Sequence, residues 1–123
     1  MSSALLAMMS QSPMYAAWSA VAPDPDGFAA LMDKIDELQR QPYDWSAKIG
    51  RISAQTLLVF ADADSIPVSH AAEFFALLGG GLRDAGLDGS ARPAARLAVL
   101  PGLTHYDIFQ SALLAAIADD FFG

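Results

Sequence analysis

The segment TLLVFADADSIP, residues 56–67, is the most informative part of this sequence. It opens with the apolar run Thr56–Phe60 and ends in a turn of small and acidic residues. A short, continuous apolar run is typical of a strand that is buried on both faces of a parallel sheet. Pro67 suits the start of a helix, because proline is tolerated in the first helical turn. The segment therefore predicts a strand, a turn and a helix.

A second apolar run, LAVL at residues 97–100, is stopped by a proline and a glycine. Between the two runs, the helix that starts at Pro67 is ended by three glycines at 79–81, and residues 82–95 have the composition of a loop. A last helix is predicted from about residue 111 to 122. A strand, a helix and another strand indicate parallel pairing with a right-handed crossover, which is an α/β architecture.

The first 50 residues predict helices. Asp24 is suited to an N-cap and Pro25 to the first helical position, which indicates a helix over residues 25–40. Asp36 and Arg40 are spaced to form an ion pair on its polar face. Its apolar residues recur at helical spacing: Phe28, Leu31, Met32, Ile35 and Leu38.

Composition excludes several classes of function. The chain has 123 residues, a length that fits one domain, and 54% of them are hydrophobic, which argues against disorder. A formal net charge of −7 disfavours binding to nucleic acid, whose phosphates require basic partners. There is no cysteine, which excludes disulfides and fits a reducing compartment. The apolar start, Met1–Met9, lacks a basic region and is too short to span a bilayer, so we expect a cytoplasmic protein without a membrane segment.

An acid and a histidine follow the two predicted strands. Asp64 comes after the first strand and His105 after the second. Adjacent parallel strands end at the same edge of a sheet, where ligands and catalytic groups of open α/β sheets lie. A carboxylate bonded to one imidazole nitrogen fixes the tautomer of the ring, and the other nitrogen can then accept a proton.

These two segments resemble parts of the α/β-hydrolases. The family's acid turn has an apolar strand, a small residue, two spacers, the acid, two spacers and a proline, and Ala61 here stands where glycine is usual. The match places the family's acid at Asp64, and the strand followed by Pro-Gly places its histidine at His105. Residues 1–50 resemble the helical cap or lid segment, and residues 51–123 the C-terminal βαβα portion of the core. The resemblance implies a serine hydrolase for a small ester-like substrate, with no cofactor and no metal.

The family's nucleophile is missing from the sequence. Gly-x-Ser-x-Gly, the turn that presents the serine, does not occur in the 123 residues. Ser90 follows a glycine but lies after the acid, against the family's order of nucleophile, acid and histidine, and no strand precedes it. The nucleophile and the N-terminal half of the sheet would therefore lie upstream, and we expect this chain to have little activity by itself.

Two parallel strands do not form a stable sheet in water. Three explanations remain open: more chain lies before Met1, a partner supplies strands, or the helices, about four or five in number, wrap an unusually small sheet. The shortage also supports a second hypothesis, a non-catalytic α/β module that self-associates through an open sheet edge. The expected partners are thus the missing half or further copies of the chain.

Simpler roles are expected for the remaining polar residues, and Asp64 itself could merely cap the helix after it. Asp62 is interpreted as a solvated turn residue and His70 as a surface histidine. Thr104 and Tyr106 are expected to pack or form hydrogen bonds beside the histidine. Asp107 could hold that loop.

A further helix is predicted from Ser12 and Pro13 onward. Its residues Met14, Tyr15 and Trp18 could line a pocket under a lid, but packing is the more economical interpretation. No group of His, Asp and Glu has the spacing of metal ligands, and the glycines at 79–81 end a helix, where a phosphate loop would precede one.

Overall fold

The computed structural model describes residues 3–123, with side chains from residue 4 onward. The chain forms two compact units, Met1–Tyr43 and Asp44–Gly123. The predicted boundary between a lid-like segment and a core portion lies at residues 50–51, but the short helix Ser46–Ile49 falls in the second unit. Whether the first unit acts as a lid stays a prediction.

The first unit is helical, as predicted. Ser12 caps its second helix, because the side chain accepts a hydrogen bond from the Tyr15 backbone N–H at 3.3 Å. Asp24 accepts one from the Asp26 backbone N–H at 3.2 Å and so caps the 3₁₀ turn that leads into the third helix. The elements are α1 (Ser3–Met9), α2 (Pro13–Ser19), a 3₁₀ turn (Pro25–Gly27) and α3 (Phe28–Arg40).

Aromatic packing stabilises this unit. The ring centroid of Phe28 lies 4.9 Å from that of Tyr15 and 5.1 Å from that of Trp18. The Tyr15–Phe28 pair is edge-to-face, an arrangement that is favourable for aromatic rings, and the Trp18–Phe28 pair is tilted. Met14 is largely exposed, so the packing interpretation holds for the two aromatic residues of α2 and not for this methionine.

Only the first part of the apolar stripe on α3 is covered. Phe28 and Met32 are buried, whereas Leu38 near the end of the helix is exposed. The predicted ion pair is confirmed, with 2.7 Å between Arg40 Nη2 and Asp36 Oδ2. Both side chains retain solvent contact, so the pair contributes a few tenths of a kcal/mol, about the usual value for i,i+4 pairs.

The second unit contains the predicted parallel strand pair. Position 57 pairs with 96 and position 61 with 100, so both strands end together. The strands begin and end within one residue of the predicted positions. The elements are α4 (Ser46–Ile49), β1 (Leu57–Ala61), α5 (Val68–Leu77), β2 (Arg96–Leu100), a 3₁₀ turn (Ile108–Gln110) and α6 (Ala112–Phe122).

The core of the second unit lies at the carboxyl ends of the strands. Ala61 and Leu100, the last residues of the two strands, are buried together with Ile108. Leu114 and Ile117 of α6 pack against this cluster. The loops that leave the strands therefore rest on the best-packed part of the unit.

The sheet is as small as the sequence predicts. Within residues 3–123, β1 and β2 are the only strands, and Leu57–Phe60 are only partly buried. The α/β architecture is confirmed at the level of mixed helices and a two-stranded parallel sheet, although the described residues form six α-helices where four or five are expected. None of these helices combines the length and the apolar character that crossing a membrane would require.

Candidate active site

The candidate site lies where β1 and β2 end. Asp64 follows Ala61 by three positions, and His105 follows Leu100 by five. Because the strands are parallel and in register, the two loops leave the sheet at the same edge. Residues 41 positions apart in sequence are thereby brought together.

Local hydrogen bonds fix the acid. Asp64 Oδ1 accepts a hydrogen bond from the backbone N–H of Ile66 at 2.9 Å and one from the Ser65 hydroxyl at 3.3 Å. A carboxylate that bonds its own backbone two residues on forms a tight turn that aspartate favours. The side chain of Asp64 is only 5% exposed, so this turn holds a nearly buried carboxylate in one orientation.

A second set of hydrogen bonds shapes the histidine loop. The backbone N–H of Thr104 donates to Asp107 Oδ1 at 2.6 Å, and the Thr104 hydroxyl accepts from the Tyr106 backbone N–H at 3.3 Å. The backbone N–H of Ile108 closes the turn on the Thr104 carbonyl at 3.2 Å. Since Ile108 is buried, the loop is anchored in the core, and the predicted holding role of Asp107 is confirmed.

The two loops are also bonded to each other. Asp62 Oδ1 accepts a hydrogen bond from the Gly102 backbone N–H at 2.7 Å, and the Ala63 N–H donates to the Leu103 carbonyl at 3.1 Å. Gly102 has a φ of +70°, a conformation that favours glycine. The interpretation of Asp62 as an exposed turn residue is confirmed, but the sequence did not reveal its bond across the loops. The Pro-Gly after the second strand is the sequence feature from which this bond could be predicted.

The acid and the histidine meet as predicted. His105 Nδ1 lies 3.2 Å from Asp64 Oδ1 and 3.3 Å from Oδ2. Within residues 3–123, the hydrogen bonds of the ring run through Nδ1, and half of the side chain is exposed. Nε2 is therefore the nitrogen that can reach a reacting group. The ring of Tyr106 stands edge-on to the imidazole, with centroids 5.8 Å apart, and is itself largely exposed.

The electrostatics of the site favour a charged Asp64. The hydrogen bond from the Ile66 backbone N–H lowers the pKa of this carboxyl below its ordinary value of 3.8. Desolvation opposes that effect, whereas the bond to His105 and the charge of its ring add to it. At neutral pH Asp64 is thus an anion that can accept a hydrogen bond from Nδ1–H and stabilise a positively charged ring.

An apolar groove of about 300 Å³ opens beside this pair. Asp64 and His105 lie in its wall. The rest of the wall is apolar: Leu57, Val59, Phe60, Ile66, Ile108, Phe109 and Leu114. A further hollow of the unit, of about 420 Å³, is lined by Ser46, Glu73, Ala76 and Leu77 and includes neither member of the pair.

The other candidate residues lie apart from the pair. His70 is exposed in the first turn of α5, with its ring centroid 6.4 Å from that of Phe74, as expected of a surface histidine. Ser90 sits in a local turn, where its backbone N–H donates to Asp88 Oδ1 at 3.0 Å. No described hydrogen bond joins Ser90 to His105. The geometry thus brings together an acid and a base, and the serine among their described contacts, Ser65, bonds to the Asp64 carboxylate and not to His105.

Comparison with known proteins adds no relative. No family model, no curated protein and no solved structure matches this chain.

Proposed function

We propose that Asp64 and His105 are the acid and the base of an α/β-hydrolase of the serine type, with the nucleophile supplied by another polypeptide segment. The observation that carries the proposal is the bond between His105 Nδ1 and Asp64 at 3.2 Å, at the shared end of two parallel strands. The order of acid and histidine along the chain agrees with that of the family.

The chemistry follows from the geometry of the pair. Asp64 holds the proton of the imidazole on Nδ1, which leaves the lone pair of Nε2 free to accept a proton. A serine hydroxyl placed within hydrogen-bond reach of Nε2 would lose its proton to the ring as its oxygen attacks an ester-like carbonyl. The positive ring is then stabilised by the carboxylate, and it returns the proton to the leaving group.

The surroundings of the pair support an uncharged substrate. The groove wall is apolar apart from Asp64 and His105, and no lysine or arginine lines it. The carboxylate of Asp64 already accepts bonds from Ile66, Ser65 and His105, so it is engaged and not available to a cationic substrate. A neutral ester with an apolar acyl or alkyl part fits this combination.

The test begins with the coding sequence upstream of Met1. We expect it to encode further strands and a Gly-x-Ser-x-Gly turn, and we expect the longer polypeptide to hydrolyse a short p-nitrophenyl ester. His105→Ala should abolish that activity, whereas the surface variant His70→Ala should retain it. This chain by itself should be inactive.

Two results would contradict the proposal. The first is a stop codon just upstream of Met1 with no strand-rich coding sequence before it. The second is ester hydrolysis by the longer polypeptide that His105→Ala leaves unchanged.

A further inference from the structure

The unpaired edge of β1 carries backbone groups that can accept another strand. The Arg96 N–H donates to the Thr56 carbonyl at 2.9 Å, and the Asp62 N–H donates to the Leu100 carbonyl at 3.0 Å. In a parallel ladder, successive residues direct their N–H and C=O groups alternately to the two sides of the strand. The backbone groups of the even-numbered positions of β1 therefore bond to β2. The N–H and C=O groups of Leu57 and Val59 point to the other edge of β1, which is unpaired.

The apolar groove runs over this edge. Leu57 and Val59 project from one face of β1, whereas Phe60 projects from the other face, and all three line the groove. A small molecule in a pocket on one face of β1 would contact either Leu57 and Val59 or Phe60. An added strand, whose own side chains alternate between the faces, contacts both. The edge of β1 thus offers an added strand apolar contacts on both of its faces.

The edge of β1 lacks the features by which proteins prevent edge strands from pairing with other chains. Leu57–Ala61 contains no charged residue and no proline. The opposite edge of the sheet differs, because β2 begins with Arg96, which lies 3.5 Å from the Asp120 carboxylate and over the ring of Phe121. Of the two edges, that of β1 is the one open to pairing.

We infer that β1 pairs in antiparallel orientation with β1 of a second copy, so that two chains form one four-stranded sheet. A twofold axis requires antiparallel pairing of identical strands. Centring the axis on Leu58 pairs Leu57 with Val59 of the second copy, and Val59 with its Leu57. Both pairs direct their backbone groups across the edge, which gives four new hydrogen bonds.

The charges at the ends of β1 favour this partner. The strand is followed by Asp62 and Asp64 and preceded by residues 52–56, which are uncharged, with Arg51 just before them. Parallel pairing would place the acidic turns of two chains side by side. Antiparallel pairing places each acidic turn beside the uncharged and basic approach to the other strand, which offsets part of the repulsion between chains of net charge −7.

The dimer is proposed for this chain by itself, because a second copy at the edge of β1 would fill the groove that the hydrolase proposal leaves for the substrate. Pairing uses the edge of β1, while His105 follows β2 and would lie toward opposite ends of the joined sheet in the two chains. A catalytically silent dimer and an active enzyme are therefore separate outcomes of separate experiments.

Light scattering with size-exclusion chromatography on the full chain tests the dimer. We expect a mass of twice 13.0 kDa, falling toward 13.0 kDa on dilution. A folded chain that remains a monomer at high micromolar concentration and melts cooperatively would overturn the proposal.

Cross-linking tests the register. The chain has no cysteine, so a single introduced cysteine can form only an intermolecular disulfide. Across the axis, two copies of Leu58 would form a non-hydrogen-bonded pair with Cα atoms about 4.5 Å apart, a distance that a disulfide bridges. Leu58→Cys should give a covalent dimer on mild oxidation. Leu97→Cys, at the paired position of β2 and similarly half-buried, should give at least tenfold less. Equal cross-linking by both variants would overturn the assignment.

A proline at position 57 tests the edge itself. The Leu57 N–H points away from β2, so Leu57→Pro removes an edge donor and spares the ladder between the strands. We expect at least a tenfold increase in the dimer dissociation constant, and a smaller change for the control Leu57→Ala, which keeps the N–H. Circular dichroism verifies folding, and if the proline variant fails to fold, the cysteine pair decides the matter. A folded Leu57→Pro dimer of parental affinity would contradict the proposal.

Discussion

Two loop regions of the second unit use the same turn chemistry and differ in what they bring together. The strand-end loops, residues 62–67 and 101–107, follow β1 and β2, and the connecting loop, residues 82–95, lies between α5 and β2. In both regions an aspartate accepts a hydrogen bond from the backbone two residues on. The distance is 2.9 Å for Asp64 and 2.7 Å for Asp84.

The difference lies in the contacts beyond each turn. In the strand-end loops, Asp62 bonds to Gly102 and Asp64 to His105, across 40 and 41 positions of sequence. The described bonds of the connecting loop are local, such as those of Asp84 and Asp88 to residues two positions away. An aspartate that forms such a turn does not by itself indicate a functional site. The register of two strands turns one such aspartate into the partner of a histidine.

The largest expected effect separates the aspartates of the two regions by activity. In the proposed hydrolase, assembled with its nucleophile, Asp64→Asn should lower kcat by about 10⁴-fold, because the amide no longer selects the productive tautomer of His105. The matched change Asp88→Asn in the connecting loop should leave kcat within about twofold. Comparable losses in the two variants would mean that the loops do not differ in function.

The next effect concerns the anchor of the histidine loop. Ile108→Ala should lower the free energy of unfolding by about 2–4 kcal/mol, because it removes a buried side chain from the core under the site. Phe109→Ala, at a neighbouring residue that is 78% exposed, should cost about 0.5 kcal/mol or less. Denaturant unfolding measures both values. Similar costs would show that the loop is not held by the core.

A smaller effect measures the bond between the loops. Asp62→Ala removes the acceptor of the Gly102 N–H and should cost about 1 kcal/mol of unfolding free energy. Asp84→Ala removes only a local bond of the connecting loop and should cost less. If the order of the two costs is reversed, the bond across the loops is not a stabilising feature.

The smallest effect is a change in the response to acid. The pKa of Asp64 is lower in the folded chain than its ordinary value of 3.8, chiefly through the Ile66 backbone N–H. Its contribution to stability is therefore complete above the ordinary pKa and is lost as the pH falls through the lowered pKa of the folded state. The stability gap between the parent and Asp64→Asn should narrow as the pH falls below about 5, as measured by urea unfolding. A gap that is constant over this range would contradict the shift.

Much of this arrangement could be predicted from the sequence, because its signals are local. Two uninterrupted apolar runs, a proline and three glycines place β1, α5 and β2, and the order of the strands places Asp64 near His105. The choice of Asp64 over Asp62 depended on family resemblance, since both aspartates follow the same strand. The structure separates them by partner: Asp64 contacts the imidazole and Asp62 the backbone of Gly102.

Other features depend on long-range geometry that no local pattern encodes. The bond from Gly102 to Asp62 and the groove beside the pair arise only once the strands are in register. The exposure of Leu38 on a regular apolar stripe could not be predicted either, because periodicity identifies the apolar face of a helix but not what covers it.

The pairing of Asp64 with His105 is best tested by the tautomer of His105, read from the ¹⁵N chemical shifts and ring couplings of the neutral imidazole. We expect a proton on Nδ1, bonded to Asp64, with Nε2 unprotonated, and a shift of that preference in Asp64→Asn. The exposed His70, which has no carboxylate partner among its described contacts, provides the internal reference and should favour a proton on Nε2. A His105 that matches His70, and that Asp64→Asn leaves unchanged, would contradict the assignment of acid and base.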